Sequence, residues 1–113
     1  MIVRVWKGWA RPGLADRYEA HYRSEVAAHL QGVDGFLGAR LLRREADGEV
    51  ELVSMTYFRD LDAVRAFAGP TYEQAVVEDA ARAVLTRFEE TVAHFDVAVT
   101  IEGAGGGPGS DGG

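Results

Sequence analysis

The hydrophobic pattern of this chain changes period in a set order, and that order restricts the fold more than any other feature. Residues 2–9 are β-branched and aromatic, as expected for a strand, and a Pro-Gly pair at positions 12 and 13 ends the run. Apolar residues then recur at four-residue steps, which predicts an amphipathic helix of about 16 residues. The apolar stripe of this helix consists of Leu14, Tyr18, Tyr22, Val26 and Leu30.

The middle of the chain predicts a β-hairpin followed by a short helix. Residues 36–44 and 50–58 are strand-like and flank the turn at 46–49, whose Asp-Gly pair favours a tight hairpin connection. Asp60 is a suitable N-cap for the short helix, which Gly69-Pro70 interrupts.

The last third predicts a second long helix and a final strand. We expect the helix from about Tyr72 to Glu90 and the strand from about Ala93 to Ile101, and we expect residues 102–113 to form a flexible, Gly-rich tail. The domain would then span residues 1–101. The order β-α-β-β-α-β predicts an α+β, ferredoxin-like fold with a four-stranded antiparallel sheet and both helices on one face.

The strands carry large apolar side chains on both faces of that sheet. In the third strand, Leu52 and Phe58 lie on one side, whereas Val53, Met55 and Tyr57 lie on the other. Two helices cover one face only, so the other exposes a patch of the kind that marks an interface. The pattern predicts a homodimer, and the alternative is a monomer with a mildly apolar sheet.

Composition narrows the possible partners and the compartment. The formal net charge is −6 and no basic stripe is present, which disfavours nucleic acid and anionic membranes and favours a small apolar or aromatic molecule. The chain has no Cys, which excludes disulfides and thiolate metal sites. The first nine residues do not resemble a signal peptide, and we expect a cytoplasmic protein.

Several segments resemble the antibiotic biosynthesis monooxygenase family, part of the dimeric α+β barrel superfamily. These are residues 2–9, Gly35-Phe36, residues 57–63, residues 64–67 and Ala93-His94-Phe95. The resemblance implies that two sheets pack face to face and that each subunit holds a pocket between sheet and helices. Some members of this family oxidise aromatic substrates with dioxygen and without a cofactor, and a related branch degrades haem.

The residues that the haem branch would require are absent at the corresponding positions. That branch implies an Asn on the first strand, a Trp that closes the third strand and a His on the following helix. This sequence has Trp6 and Phe58 at the first two positions, and residues 72–79 contain no His. We therefore expect no haem and no other cofactor. The three histidines also lack metal-binding spacing, so we expect no metal.

His94 is the candidate catalytic residue, because a histidine that titrates near neutral pH can take a proton from a phenol or an enol. Its alternative is a hydrogen-bonded structural role. We expect the other two histidines, His21 and His29, to lie at the surface. The candidate substrate-binding residues are Trp6, Tyr22, Ser54, Phe58 and Tyr72, and the alternative role of the aromatic ones is packing.

Two strand positions, Arg4 and Arg40, carry charges that must be paired if they are buried. We expect ion pairs with a Glu in preference to contacts with an anionic substrate. For function, the first hypothesis is a cofactor-independent monooxygenase that acts on a small aromatic or enolisable substrate. The alternatives are a non-catalytic dimer that binds a small molecule and a cofactor-free cyclase or isomerase.

Overall fold

The computed structural model describes residues 1–104, and most of the predicted tail lies outside this range. The strands are β1 (Ile2–Ala10), β2 (Phe36–Ala46), β3 (Glu49–Phe58), β4 (Arg87–Phe88) and β5 (Ala93–Asp96). The helices are α1 (Pro12–His21), α2 (Ala27–Gln31), α3 (Leu61–Ala68) and α4 (Asp79–Arg82), and a π-helical turn, Tyr22–Val26, joins α1 to α2. No helix within the described residues is long and apolar enough to cross a membrane.

The strands form one antiparallel sheet, which confirms the predicted α+β architecture. Its order is β2-β3-β1-β4, and β5 also pairs with β1. The predicted hairpin is present, because Asp47 and Gly48 have φ values of 54° and 78°, the left-handed geometry of a tight turn. Asp60 caps α3 by accepting a hydrogen bond from the backbone N–H of Ala63 at 3.0 Å, also as expected.

The prediction of a helix from Tyr72 to Glu90 is wrong. Only Asp79–Arg82 is helical there, and β4 lies within the same predicted range. The open edge of β1 explains the difference, since it offers backbone hydrogen bonds that compete with a helix: Thr86 N–H donates to the Trp9 carbonyl and Glu89 N–H donates to the Lys7 carbonyl. Tertiary pairing thus overrides the four-residue periodicity.

The final strand is shorter than predicted and is one part of an interrupted edge. β4 pairs with β1 at Gly8 and Trp9, while β5 pairs with residues 2–5 of the same strand. The chain leaves the sheet after Asp96, and the side chains of Val99 and Ile101 are 74% and 82% exposed. The two pieces together take the place of the predicted fourth strand.

The core lies between the helices and one face of the sheet, in two clusters. One contains Trp6, Tyr18 and Leu52, and the other contains Leu30, Phe58 and Val64. On the opposite face the partners across β1 and β3 are half-buried: Val3 faces Tyr57, and Val5 faces Met55. Both faces are therefore apolar, as the alternation predicts, and the helices cover one of them.

Gly8 makes room for the indole ring of Trp6. A Cβ atom at Gly8 would lie 2.9 Å from Trp6 Cη2 and 3.3 Å from Leu85 Cδ2. The position of the Trp6 ring in the core therefore requires a residue without a side chain two positions later on the same face of β1.

We predict that Gly8→Ala lowers the free energy of unfolding by about 1–3 kcal/mol, because overpacking displaces the Trp6 ring. Thermal or denaturant unfolding measures the loss. Gly13→Ala is the matched control, since a Cβ at Gly13 meets nothing within 4 Å and lies in α1. Equal stability of the two variants would contradict this account of the packing.

Candidate functional site

A narrow cavity of about 70 Å³ lies between the long helical segment and the covered face of the sheet. It sits where the two core clusters meet, because Trp6 and Tyr18 belong to one cluster and Val26 and Phe67 pack against the other. Its walls come from β1, β3, the helices and the chain that follows α3. The lining residues are Arg4, Trp6, Tyr18, His21, Tyr22, Val26, Ser54, Thr56, Phe67, Val76, Val77, Glu78 and Val92.

The π-helical turn shapes the helical wall of the cavity. Both ends of this turn, Tyr22 and Val26, line the cavity. The Tyr22 hydroxyl lies 3.3 Å from Ser54 Oγ on β3, so the two hydroxyl groups bridge helix and sheet. Inserted π turns recur at functional sites, where they change the direction in which side chains point.

Trp6 and Tyr18 form the aromatic side of the cavity. Their ring centroids are 6.2 Å apart, and the Trp6 indole N–H donates to the Glu89 carbonyl at 2.7 Å. The Trp6 indole therefore offers the cavity its ring surface only. Burial, with a smaller contribution from Tyr22, raises the pKa of Tyr18, so its phenol stays neutral near physiological pH.

Arg4 is the one arginine within residues 1–104 that lines the cavity. Arg4 is 5% exposed, and its Nη1 donates to the Tyr72 carbonyl at 2.5 Å while its Nη2 donates to the Gln74 carbonyl at 3.3 Å. Its Cζ lies 5.6 Å from the centre of the Phe67 ring. Burial lowers the pKa of Arg4 to about 10, which leaves it charged at neutral pH.

The predicted ion pair between Arg4 and a Glu is absent from the described residues. The ion pairs found there join other residues, and the partners of Arg4 are two backbone carbonyls and an imidazole. The cation is thus buried without a formal negative charge beside it. Arg40 lies elsewhere, at a groove on the other face of the sheet.

His94 lies behind Arg4 and outside the cavity lining. Its Nε2 is 3.1 Å from Arg4 Nη1, and its ring meets the Tyr72 ring edge-on with centroids 5.4 Å apart. Because an arginine only donates, Nε2 must be the acceptor and the imidazole must be neutral. Burial and then the Arg4 charge lower the pKa of His94, while Glu73 opposes the shift.

The predicted site residues fall into three groups. Trp6, Tyr22 and Ser54 line the cavity. His94 and Tyr72 reach it only through Arg4. Phe58 is fully buried in the second core cluster and does not belong to the cavity wall.

Sequence reasoning missed several parts of the wall. His21, which we expected at the surface, lines the cavity, whereas His29 is exposed as expected. Thr56 was not missed, since strand alternation places it on the same face as Ser54, and both line the cavity. The contribution of residues 76–78 had no sequence signal, because those residues were expected to be helical.

The opposite face of the sheet carries a larger groove of about 600 Å³ between the sheet and residues 97–102. Val3, Arg40, Tyr57, Val99 and Ile101 are among the residues that line it. Among the described residues no group of three or more His, Asp or Glu side chains is arranged to hold a metal ion.

Comparison with solved structures finds two similar proteins, SnoaB and MhuD. SnoaB from Streptomyces nogalater, described as a cofactor-independent oxygenase, is 26% identical over 88% of this chain and 96% of its own, with a TM-score of 0.61. The haem-degrading protein MhuD from Mycobacterium tuberculosis, solved with two haems bound, is 21% identical over 89% of this chain and 99% of its own, also with a TM-score of 0.61. The likeness to MhuD is one of fold.

A search of curated proteins found no significant match to this sequence. The profile of the family described as antibiotic biosynthesis monooxygenase, in contrast, matches residues 1–79, which is most of the domain. This match confirms the resemblance seen in the strand and turn motifs, and the chain belongs to the antibiotic biosynthesis monooxygenase family.

Proposed function

We propose that this protein is a cofactor-independent monooxygenase that acts on a small aromatic or enolisable substrate in the cavity between helix and sheet. Family membership and the likeness to SnoaB support the reaction class. The observation that carries the proposal is the cavity itself, which combines the aromatic surfaces of Trp6 and Tyr18 with a histidine, His21, that can take a proton.

The proposed reaction needs a deprotonated substrate and dioxygen. The substrate anion passes one electron to dioxygen, and the resulting radical pair combines with formation of a C–O bond. The peroxide anion takes back the proton held by the base and becomes a hydroperoxide. Loss of water from the hydroperoxide then removes the hydrogen of the same carbon, breaks the O–O bond and leaves a carbonyl, so one oxygen atom enters the product and the other leaves as water. A wall that excludes water protects the radical pair and the peroxide from side reactions.

In this proposal the substrate enters the cavity through the part of its wall that has no regular secondary structure. Small-molecule sites usually enclose about 300–1,000 Å³, so a cavity of about 70 Å³ must widen to hold an aromatic ring system. Val76, Val77 and Glu78 form the outer wall within a segment that is neither helix nor strand. We propose that this segment moves outward on binding, since few regular hydrogen bonds hold it.

Two histidines are candidates for the proton acceptor. His94 is the residue predicted from the sequence. Its Nε2 already accepts a hydrogen bond from Arg4, and it can take a proton from a substrate only after that hydrogen bond breaks. His21 lines the cavity directly, and its side chain forms no hydrogen bond with the described residues. We therefore assign the transfer of the proton to His21 and a supporting position behind Arg4 to His94.

We predict that the protein consumes oxygen with naphthoresorcinol, an aromatic and enolisable diphenol, without an added cofactor. Replacement His21→Gln should lower the rate by about 100-fold or more, the usual contribution of a general base. Glu25→Gln, on the exposed side of the same helical segment, is the control and should retain the rate. An oxygen electrode gives the measurement.

Two results would change the proposed reaction, and a third would change the residue that acts as the base. Conversion of the diphenol without oxygen uptake would support a cyclase or isomerase, and binding without conversion would support a non-catalytic binding protein. Loss of activity in His94→Gln with normal activity in His21→Gln would return the role of base to His94.

The neutral state of His94 predicts a loss of stability in acid. The groups that face its ring are the Arg4 guanidinium, the Tyr72 ring and, more distantly, the Glu73 carboxylate. The pKa of His94 is below 6.5 in the folded protein, so the unfolded chain binds the proton first as the pH falls. Stability from this residue is therefore present above about pH 6.5 and declines towards the folded pKa.

Thermal unfolding between about pH 7.5 and about pH 5.5 tests this prediction. The melting temperature of the natural protein should fall more over this range than that of His94→Gln, which keeps an acceptor for Arg4 and does not titrate. Subtracting the two curves removes the contribution of the other titrating groups. Parallel curves would show that His94 does not have a lowered pKa.

We further propose that the uncovered sheet face pairs with a second copy of the chain. Val5 and Met55 lie opposite each other at its centre, and Phe95 beside Val3 is 55% exposed. At one end of the face, the buried carboxylate of Glu51 accepts a hydrogen bond from Arg44 Nε at 2.5 Å, so its charge is already paired. A sheet face with large apolar side chains at its centre and charged residues at its ends is typical of subunit interfaces.

Light scattering of the protein at micromolar concentration should give twice the subunit mass, and Met55→Glu should give the subunit mass because it buries a charge in the interface. Ala20→Glu on the exposed helical surface is the control and should remain dimeric. A folded natural protein of single-subunit mass would contradict the proposed pairing.

A further inference from the structure

We propose that Arg4 is the anion-binding residue of the cavity, and that the site selects ligands that carry an oxyanion on an apolar ring. Within this proposal His94 is a positioning residue, which holds the Arg4 guanidinium against the cavity through Nε2. The inference rests on the proposed function for its cavity, but it adds the charge of the ligand and the residues that read it.

The first reason is that the positive charge of the buried Arg4 guanidinium is not compensated by a carboxylate among the described residues. Arg4 is 5% exposed, and its partners within residues 1–104 are the carbonyls of Tyr72 and Gln74 and the imidazole of His94. These groups satisfy hydrogen bonds but carry no net charge. A buried guanidinium without a carboxylate is costly, and an anionic ligand in the adjacent space relieves that cost.

The second reason is the number of N–H groups that Arg4 has left. A guanidinium has five N–H donors in a planar fork, and the described partners use three of them, two on Nη1 and one on Nη2. Two donors therefore stay available on a side chain that lines the cavity. Pairs of such donors bind a carboxylate or an ionised phenol with charge-assisted hydrogen bonds.

The third reason is that no other cavity group competes for this charge. Glu78, the carboxylate in the lining, is exposed and forms no ion pair with Arg4. The remaining polar side chains of the lining are the His21 imidazole and hydroxyls, among them the Tyr22–Ser54 pair, and the hydroxyls suit an oxygen atom of either charge state.

His94 fixes the direction of the guanidinium. It occupies the register position opposite Arg4 in the β1–β5 pair, and the Tyr72 ring packs against its edge. Its acceptor nitrogen takes one Nη1 N–H, and the Tyr72 carbonyl takes the other. Without an acceptor at position 94, only the two carbonyl contacts of the guanidinium remain, and its N–H groups are held less firmly towards the cavity.

Calorimetric titration with benzoate and benzamide tests the inference, because the two ligands share size and shape and differ in charge. The natural protein should bind benzoate at least about tenfold more tightly than benzamide. Arg4→Gln should abolish that preference and leave the affinity for benzamide within about twofold. Arg4→Lys keeps a cation and should retain part of the preference, which guards against a misleading result if Arg4→Gln fails to fold.

Substitutions at position 94 test the positioning role. His94→Phe keeps a ring against Tyr72 but removes the acceptor. It should lower the affinity for benzoate and leave the affinity for benzamide unchanged. His94→Gln restores an acceptor and should restore the preference. A purely structural role would lower both affinities together and would gain nothing from Gln over Phe.

The inference is overturned if the natural protein binds the two ligands equally, if it binds neither, or if the preference for benzoate survives in Arg4→Gln. Benzoate has no oxidisable enol, so this binding measurement is independent of oxygen uptake. A protein that prefers benzoate but consumes no oxygen would retain the anion site and lose the monooxygenase proposal. The reverse result would retain the reaction and remove the role of Arg4.

Discussion

The guanidinium of Arg4 joins three parts of the chain that are far apart in sequence. It lies on the first strand, and its hydrogen bonds reach Tyr72, Gln74 and His94, which are 68, 70 and 90 residues away. These contacts attach the irregular segment after α3 and the last strand to the centre of the sheet. Residues 76–78, which form the outer wall of the cavity, come immediately after this attached part of the chain, so the attachment places them beside the sheet.

The same cation connects structure with chemistry. Because its partners are neutral, the Arg4 charge contributes to the field inside the cavity and is not cancelled within an ion pair. Trp6 and Tyr18 supply surface for an apolar ring, and the hydroxyls of Tyr22 and Ser54 supply hydrogen bonds. A substrate that must lose a proton before it reacts with dioxygen gains most from this combination, since the cation stabilises its anionic form.

Alternation along the strands was sufficient to predict the sheet, the hairpin and the apolar second face. It failed between Tyr72 and Glu90, where backbone groups of β1 bond to Thr86 and Glu89 and a regular helix cannot form. For the site, alternation correctly placed Trp6 and Ser54 on the covered face, and helical spacing placed Tyr22 there. For Arg4 the sequence left two roles open, an ion pair and a contact with an anionic ligand. Its neutral environment could not be predicted, because two of its three acceptors are main-chain carbonyls, which leave no trace in the sequence.

In the proposed site, a buried cation faces the ligand. The pKa of bound para-nitrophenol, followed by the absorbance of its phenolate, tests that claim directly. A dry cavity without a facing cation disfavours the charged form and raises the pKa of a bound phenol, whereas a facing guanidinium lowers it. The account predicts a pKa below that of free para-nitrophenol, and a value equal to or above the free value would contradict it.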